Sequence, residues 1–336
     1  MEATRISLPQ LREQRLTKIS KMLELGINPY PSKSHRTNKI IEIINNFSNF
    51  ENKEVTLVGR LLSIREHGKL VFGNIEDQDG NIQLYIKSDE LISNQKEKLN
   101  LGFSELSLLD IGDFVEVQGV ITKTQRGEIS ILVKYLWILT KAIRPLPDKW
   151  KGIVDKEQRF RRRYLDLAIN KDVRDMFIRK SKFWQACRDF MIKNDYIEVE
   201  TPVLEHKTGG ADARPFTTHH NDLGMDLFLR ISTELYQKRL IGGGFEKIFT
   251  LGPNFRNEGV DDEHLQEYTQ LEWYWAYANY EDNMNFIKEL FKYVSKKVYN
   301  KTQFTSKGHK YDLADEWIVI DYANILTILA SRFCFF

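Results

Sequence analysis

The sequence predicts an α+β chain of two folding units, a closed five-stranded β-barrel followed by an antiparallel sheet with helices, on three observations. Its 336 residues are about twice the roughly 150 that one domain commonly takes. Between residues 55 and 138 apolar and polar residues alternate with the period of a strand. From about residue 172 helical spacing takes over, with short strand-like runs between the helices. Apolar residues at 42% and charged residues at 29% describe a folded, soluble chain and exclude disordered, collagen-like and coiled-coil classes.

Forty-nine Lys and Arg stand against 47 Asp and Glu, a net charge of +2, too balanced for net charge to name a nucleic-acid or membrane partner. Cys187 and Cys334 form no CxxC pair and no disulfide framework, which points to a reducing compartment. No apolar run reaches signal-peptide or membrane-span length, so a cytoplasmic location without a membrane is expected.

Residues 1–50 read as a basic helix and lead-in. Residues 1–40 hold eight basic and three acidic residues. Ser7 and Gln10 have the spacing of a capping box, Leu16, Ile19 and Leu23 recur at helical spacing, and Gly26 with Pro29 and Pro31 stops the pattern. This helix either packs on its own domain or serves as an arm that gathers phosphates.

Residues 51–140 carry five strand-like runs near 55–64, 69–75, 81–87, 113–121 and 128–138. Turns are marked at Asp79-Gly80 and Arg126-Gly127, and a polar, helical stretch is expected after the third run. Five strands with a helix there point to an OB barrel, a fold that binds oligonucleotides on one face. Phe72 is then either a residue of the barrel core or, with Gln83, one of the groups that stack on and read bases. Residues 141–171 read as a linker with a dense run, Arg159, Arg161, Arg162 and Arg163. That run is either a solvated charge cluster or a grip on a phosphate backbone or an acidic partner.

From 172 to 336, Val173, Phe177, Lys180, Trp184 and Cys187 trace one helix face ending near Asn194, and YIEVETP is a strand stopped at Pro202. The remaining apolar side of that helix, with Phe183, Trp184, Phe190 and Met191, is expected to take a second copy of the chain. Strands are expected at 226–231, 246–255 and 269–277. Helices are expected near 233–241 and 281–298, the last with Met284, Ile287, Phe291 and Val294 inward.

Phosphate loops of the GxxxxGK[ST] and GxGxxG kinds, a Gly-x-Ser-x-Gly elbow and metal-ligand spacing around His219-His220 are all lacking. The chemistry concentrates between Phe255 and Asp282. On a strand there, Glu272 and Tyr274 share one face and Trp273 and Trp275 the other, an acidic cation-binding face over an aromatic core. Upstream, Arg256 and Glu258 alternate onto one side, as a buried ion pair or as an anion site.

The run FRNEG with LEWYWAY resembles the second signature motif of class II aminoacyl-tRNA synthetases, and YIEVETP the first. RPLPDKWKG, RRRYLDL, GGADARPFTTHHNDL and LFLRISTELYQKRLIGGGFEKIF narrow the resemblance to the lysyl-tRNA synthetase family, over nearly the whole chain to about residue 300. The resemblance implies an OB anticodon-binding domain, then a class II catalytic sheet with helices. It implies the activation of lysine by ATP as lysyl-adenylate and its transfer to tRNA(Lys), in a homodimer. Arg256 is thereby expected to touch both the lysine carboxylate and the α-phosphate, Glu258 to hold the adenosine, His264 to approach the phosphates, and Tyr268 to stack on adenine. Gly210 and Glu234 are expected to receive the α-ammonium, Glu272 and Tyr274 the side-chain ammonium. Phe72, Gln83 and Glu128 are expected to read the anticodon. HLQEYT stands where that family usually reads HNPEFT. The family's later glycine-rich GxGxGxDR segment and the carboxylates that hold Mg²⁺ do not occur in this sequence. The chain, ending in ILASRFCFF, is therefore expected to be a fragment or degenerate copy that makes little adenylate alone. The alternative is a catalytically inactive remnant that keeps the RNA-binding barrel.

Overall fold

The computed structural model describes residues 7–93, 100–147, 153, 155–261 and 263–326. It divides into two units, Met1–Ile169 and Asn170–Phe336. The first opens with α1 (Leu8–Glu24), whose capping box forms as expected: the Ser7 hydroxyl accepts from the Gln10 N–H, and the Gln10 side chain accepts from the Ser7 N–H at 2.9 Å. The helix stops before Gly26 at φ 74°. Its buried stripe differs from the expected one. Arg15 and Met22 face inward, and Leu23 is 59% exposed, because two of the basic residues anchor the helix to its own unit. Arg15 donates to the carbonyls of Ala142 at 2.7 Å and Ile111 at 3.1 Å, and Lys18 to Asp110 at 2.8 Å.

Two short helices, α2 (Ile40–Asn45) and α3 (Phe47–Phe50), lead into the barrel, and Ile40 and Ile43 are part of its core. Strands β1 (Glu54–His67), β2 (Leu70–Glu76), β3 (Asn81–Lys87), β4 (Phe114–Lys123) and β5 (Ile129–Thr140) close in the order β1-β2-β3-β5-β4. Only the β3–β5 pair is parallel. The period-two pattern fills the interior with Leu57, Leu61, Ile75, Ile86, Val117 and Ile131, all fully buried. Asp77 makes the β2–β3 turn by accepting the N–H groups of Asp79 and Gly80. Of the helical stretch expected after β3, residues 94–99 lie outside the described residues, and the described part holds a single 3₁₀ turn, Ser104–Leu108. The run read as a linker contains α4 (Lys156–Arg161), capped by Asp155, and α5 (Arg163–Ile169). Residues 148–152 and 154 of that run lie outside the described residues.

The second unit comprises α6 (Lys171–Lys193), β6 (Ile197–Glu198), β7 (Leu204–Glu205), β8 (Thr217–His220), β9 (Met225–Leu229), α7 (Glu234–Gly242), β10 (Lys247–Phe255), β11 (Glu267–Trp275), α8 (Tyr280–Tyr299), β12 (Gln303–Ser306) and β13 (His309–Asp312). One sheet runs β11-β10-β6 and another β7-β9-β8, with β12 and β13 as a hairpin. The pairing is antiparallel as expected except that β6 runs parallel to β10 over two residues. Neither β8 nor the last hairpin was legible in the sequence pattern, since four-residue polar strands carry too little alternation.

Phe190, Met191, Tyr196, Phe249, Phe286 and Leu290 form the core of this unit, with Phe183, Trp184, Trp273 and Trp275 packed against it. That corrects two expectations. Phe183, Trp184, Phe190 and Met191 are not a face left over for a partner, because they pack within their own unit. The large apolar residues α6 does expose are Met176, Phe177, Ile178 and Ile192. On α8 the inward stripe is Phe286, Leu290 and Val294, while Met284 and Phe291 are 42% and 50% exposed. Phe286 lies in the crook of Phe190, Tyr196, Trp273 and Trp275, ring centroids 5.1–6.0 Å apart. Cys187 is a buried thiol pushed up to about 11 by burial; Cys334 lies outside the described residues. Among the described residues no helix is long and apolar enough to cross a membrane.

Candidate functional site

β11 carries the expected two faces. Trp273 and Trp275 point into the core, and Tyr268, Gln270, Glu272 and Tyr274 line the other side at every second residue. Glu272 is held there from α7 and from its own strand. The Thr233 hydroxyl donates to its Oε2 at 2.9 Å, the Gln270 amide to the same oxygen at 3.3 Å, and Gln237 donates to its backbone carbonyl at 3.1 Å. The Asn254 amide, on β10, in turn donates to Gln270 at 2.7 Å. Thr233, Gln237, Asn254 and Gln270 were not singled out in the sequence. The available signal was helical spacing, which puts Gln237 and Lys238 on the side of Glu234.

Gly210 and Glu234, far apart in the chain, meet. At φ +85° Gly210 lies so near the first turn of α7 that an added Cβ would stand 2.7 Å from the Glu234 Cβ and 3.0 Å from the Ser232 hydroxyl. Glu234 accepts a hydrogen bond from the Lys238 ammonium. That bond, and Tyr274 beside it, raise the Lys238 ammonium above its ordinary value. Burial, then Glu234 and Glu272, raise the Tyr274 phenol. The three lysine-site residues expected on acid or phenol chemistry, Glu234, Glu272 and Tyr274, thus form one electronegative patch, and an ammonium already rests against it.

The other end of this face is cationic. Arg256 stands over the Tyr268 ring at 5.5 Å. Its Nε is buried and has no hydrogen-bond partner among the described residues, and no carboxylate there pairs with it, so the ion-pair reading with Glu258 does not hold. Glu258 itself is exposed in the loop after β10. His264 is also exposed, its Nδ1 2.7 Å from the Asp261 carboxylate, which the N–H of Glu263 and the His264 ring hold below its usual range. Arg256 and Tyr268 come together; Glu258 and His264 remain on the loop between them.

Arg230 braces this end from beneath. It is 3% exposed and donates to the Pro253 carbonyl at 2.8 Å, to the Thr201 carbonyl at 2.9 Å and to the Thr201 hydroxyl at 3.0 Å. Its own backbone carbonyl accepts from Phe255 at 3.0 Å, fixing the strand end from which Arg256 departs. Burial lowers the Arg230 guanidinium and raises the nearby Glu205 carboxyl, and the two charges oppose those shifts in each other. Gln237 Oε1 and Asn254 Oδ1, like Arg256 Nε, are buried without partners among the described residues. Such atoms are costly to leave unmet, and here three of them surround one polar face.

On the barrel, Phe72, Gln83 and Glu128 come to one outer surface. Phe72 stacks on Tyr85, its cross-strand partner, at 5.2 Å and 5°. Gln83 donates to Glu128 at 3.0 Å and accepts from the Ser130 hydroxyl at 2.9 Å. Phe72 alternates with the buried Val71 and Gly73, so its ring is outside the core. Tyr85 was not named as a site residue, although period-two spacing already put it on the side of Gln83.

His219 and His220 sit on β8, exposed, the first bonded to Asp226 at 2.8 Å and the second accepting from the Leu223 N–H at 3.3 Å. Among the described residues no three His, Cys, Asp or Glu converge as a metal site would require.

The family described as tRNA synthetases class II (D, K and N) matches residues 155–331, and an OB-fold nucleic acid binding domain matches residues 55–139. Among curated proteins, the chain is 45% identical over 309 residues to the lysine–tRNA ligase of Clostridium tetani, covering 92% of this chain and 60% of that one. It is 44% identical over 317 residues to that of Clostridium acetobutylicum, covering 94% and 60%. With that of Pelotomaculum thermopropionicum it shares 43% over 324 residues, covering 96% and 63%. The chain thus spans about 60% of the length of these relatives.

Proposed function

The chain belongs to the class II tRNA synthetases of the D, K and N type, and from that premise we propose that it serves the ATP-dependent attachment of lysine to tRNA(Lys) through lysyl-adenylate. The observation that carries this reading is the polarity of the β11 face, acidic at Glu272, Glu234 and Tyr274 and cationic at Arg256. Glu272 and Tyr268 are four residues apart on one strand, roughly 13 Å. A ligand with an ammonium at one end and anionic oxygens at the other fits that span.

In this reading Glu272 and Tyr274 hold the side-chain ammonium of lysine, and Gly210 leaves room beside Glu234 for the α-ammonium, with the Lys238 ammonium displaced. Arg256, with its Nε unmet, bridges the lysine carboxylate and the α-phosphate of ATP. The carboxylate oxygen attacks that phosphorus in line, and the bond to pyrophosphate breaks. The guanidinium offsets charge growing on the phosphoryl oxygens, a role for which no protein nucleophile is needed. Tyr268 stacks on adenine, Glu258 holds the adenosine, and His264 meets the outer phosphates. The barrel presents Phe72 and Tyr85 for stacking and Gln83 with Glu128 for base edges of the anticodon. The protein acts in the cytoplasm, as a homodimer.

Calorimetric titration of L-lysine and of norleucine, which lacks the terminal ammonium, tests the acidic end. Lysine is expected to bind and norleucine not, and Glu272→Gln should remove the difference. Equal binding of the two ligands, or a preference that survives the substitution, would sink the assignment.

A further inference from the structure

The arginines of the first unit do not all do the same work. In the run at 159–163, Arg159 donates to the buried Asp166 at 3.0 Å, Arg163 to the same carboxylate at 2.6 Å, and Arg161 pairs with Glu157 at 2.7 Å. Arg162 has no such acceptor among the described residues. On α1, Arg15 and Lys18 are taken up by Ala142, Ile111 and Asp110, while Arg12, one turn earlier, has no ion pair among the described residues. Arg144 has none there either.

These three side chains line one cleft of about 890 Å³, together with Arg60, Phe114 and Tyr164. Arg60 lies over the Phe114 ring at 4.7 Å, and Tyr164 is 68% exposed. Glu13 is the only acid among the described lining residues, so the three guanidiniums of Arg12, Arg144 and Arg162 face a shared space against one carboxylate. Leu146, Pro145 and Pro147 give it an apolar wall. Cations that share a cavity without compensating carboxylates repel one another, and a polyanion relieves that repulsion. Exposed aromatic rings beside guanidiniums add a surface on which an unstacked base can lie.

We infer that this cleft is a second RNA-binding site, for the phosphodiester backbone of an RNA whose anticodon occupies the outer barrel face. The inference rests on the reading of that face as an RNA surface. The two sites lie toward opposite ends of β5. Gln83 pairs with Ser130 near its start, while Thr140 at its end lines the cleft. Ten residues of strand span up to roughly 30 Å, so the cleft meets parts of a tRNA outside the anticodon loop.

Binding of a full-length tRNA(Lys) transcript and of its isolated anticodon stem-loop, measured across a salt series, tests this. Arg12→Gln, Arg144→Gln and Arg162→Gln together should weaken the full transcript on the order of tenfold and flatten its log–log salt dependence by about 2–3, leaving the stem-loop unchanged. Glu13→Gln should act oppositely and tighten the transcript, which separates loss of contact from loss of fold. Unchanged affinity and slope for the transcript would overturn the cleft while leaving the barrel reading intact. Equal weakening of both RNAs, in a triple variant with native circular dichroism, would place these arginines at the anticodon face and also overturn it. Failure of the unsubstituted protein to bind the stem-loop would instead remove the barrel reading on which the inference rests.

Discussion

Gly210 shows how much one position can control. Its φ of +85° is a conformation L side chains rarely adopt, and a Cβ there would stand 2.7 Å from Glu234. Gly210→Ala should therefore cost about 1–3 kcal/mol from backbone strain alone and also push Glu234 from its place. Urea unfolding gives the first effect, and lysine titration should show a weakened α-ammonium contact. Gly127 is the control: at φ +82° it has open space around it, so Gly127→Ala carries strain without the clash. An equal loss of lysine binding in both variants would show that the closeness to Glu234 is not what matters. Arg256 makes the complementary case. Its guanidinium is committed to no protein carboxylate among the described residues, so Arg256→Ala should leave the unfolding midpoint nearly unchanged while removing affinity for an adenylate analogue. A large stability loss would mark it as a structural residue.

At the scale of elements, the barrel is tied off by a buried hub. Asp113, fully buried, accepts from the Lys141 ammonium and from the N–H groups of Asp110 and Ala142, each at 2.8 Å. It thereby clamps the approach to β4 to the end of β5. The Lys141 side chain is fully buried and also reaches Asp110, which Lys18 of α1 holds from the other side. Asp113→Ala would leave that ammonium short of a partner, and removing one member of a buried pair costs about 3–5 kcal/mol. A shift of the urea midpoint below 1 kcal/mol would mean that Asp110 suffices. The hub also sets a pH dependence. Burial pushes the Asp110 carboxyl up, but hydrogen bonds from Lys141 and Lys18 outweigh it, and the folded carboxyl lies below its ordinary value. A depressed carboxyl contributes stability that is complete above the unfolded value of about 3.9 and is lost as pH falls through the folded one. Asp110→Asn should flatten the acid limb of the stability curve below about pH 4; an unaltered limb would assign the acid sensitivity elsewhere.

For the whole molecule, the division into two units has a physical basis in separate cores. Every buried member of the first, from Met22 to Ile138, precedes the second unit, and every member of the other, from Ala186 to Val294, lies within it. A chain ending at Ile169 should therefore unfold cooperatively and retain anticodon stem-loop binding. Phe72→Ala in that shorter chain should weaken the stem-loop by about 1–3 kcal/mol, the usual contribution of one base on an aromatic ring. A non-cooperative melt of the 1–169 chain would show that its core needs the rest of the protein.

Much of this was readable from local pattern. The five barrel strands, the capping box of α1, and the opposition of Glu272 and Tyr274 to Trp273 and Trp275 all follow from periodicities of 2 and 3.6 that the backbone imposes at any position. Where two apolar stripes competed on one helix, pattern was not enough. On α8 both Met284-Phe291-Val294 and Phe286-Leu290-Val294 have helical spacing, and the aromatic cage of Phe190, Tyr196, Trp273 and Trp275 selected the second. The partner face read into α6 failed likewise, because whether Phe190 and Met191 are spare depends on what packs against them. The meeting of Gly210 with Glu234, the unmet Arg256, and the division of one arginine run between Asp166, Glu157 and an open cleft are relations between residues distant in sequence. Local propensity carries no term for such contacts, so they arise only when the chain has closed on itself.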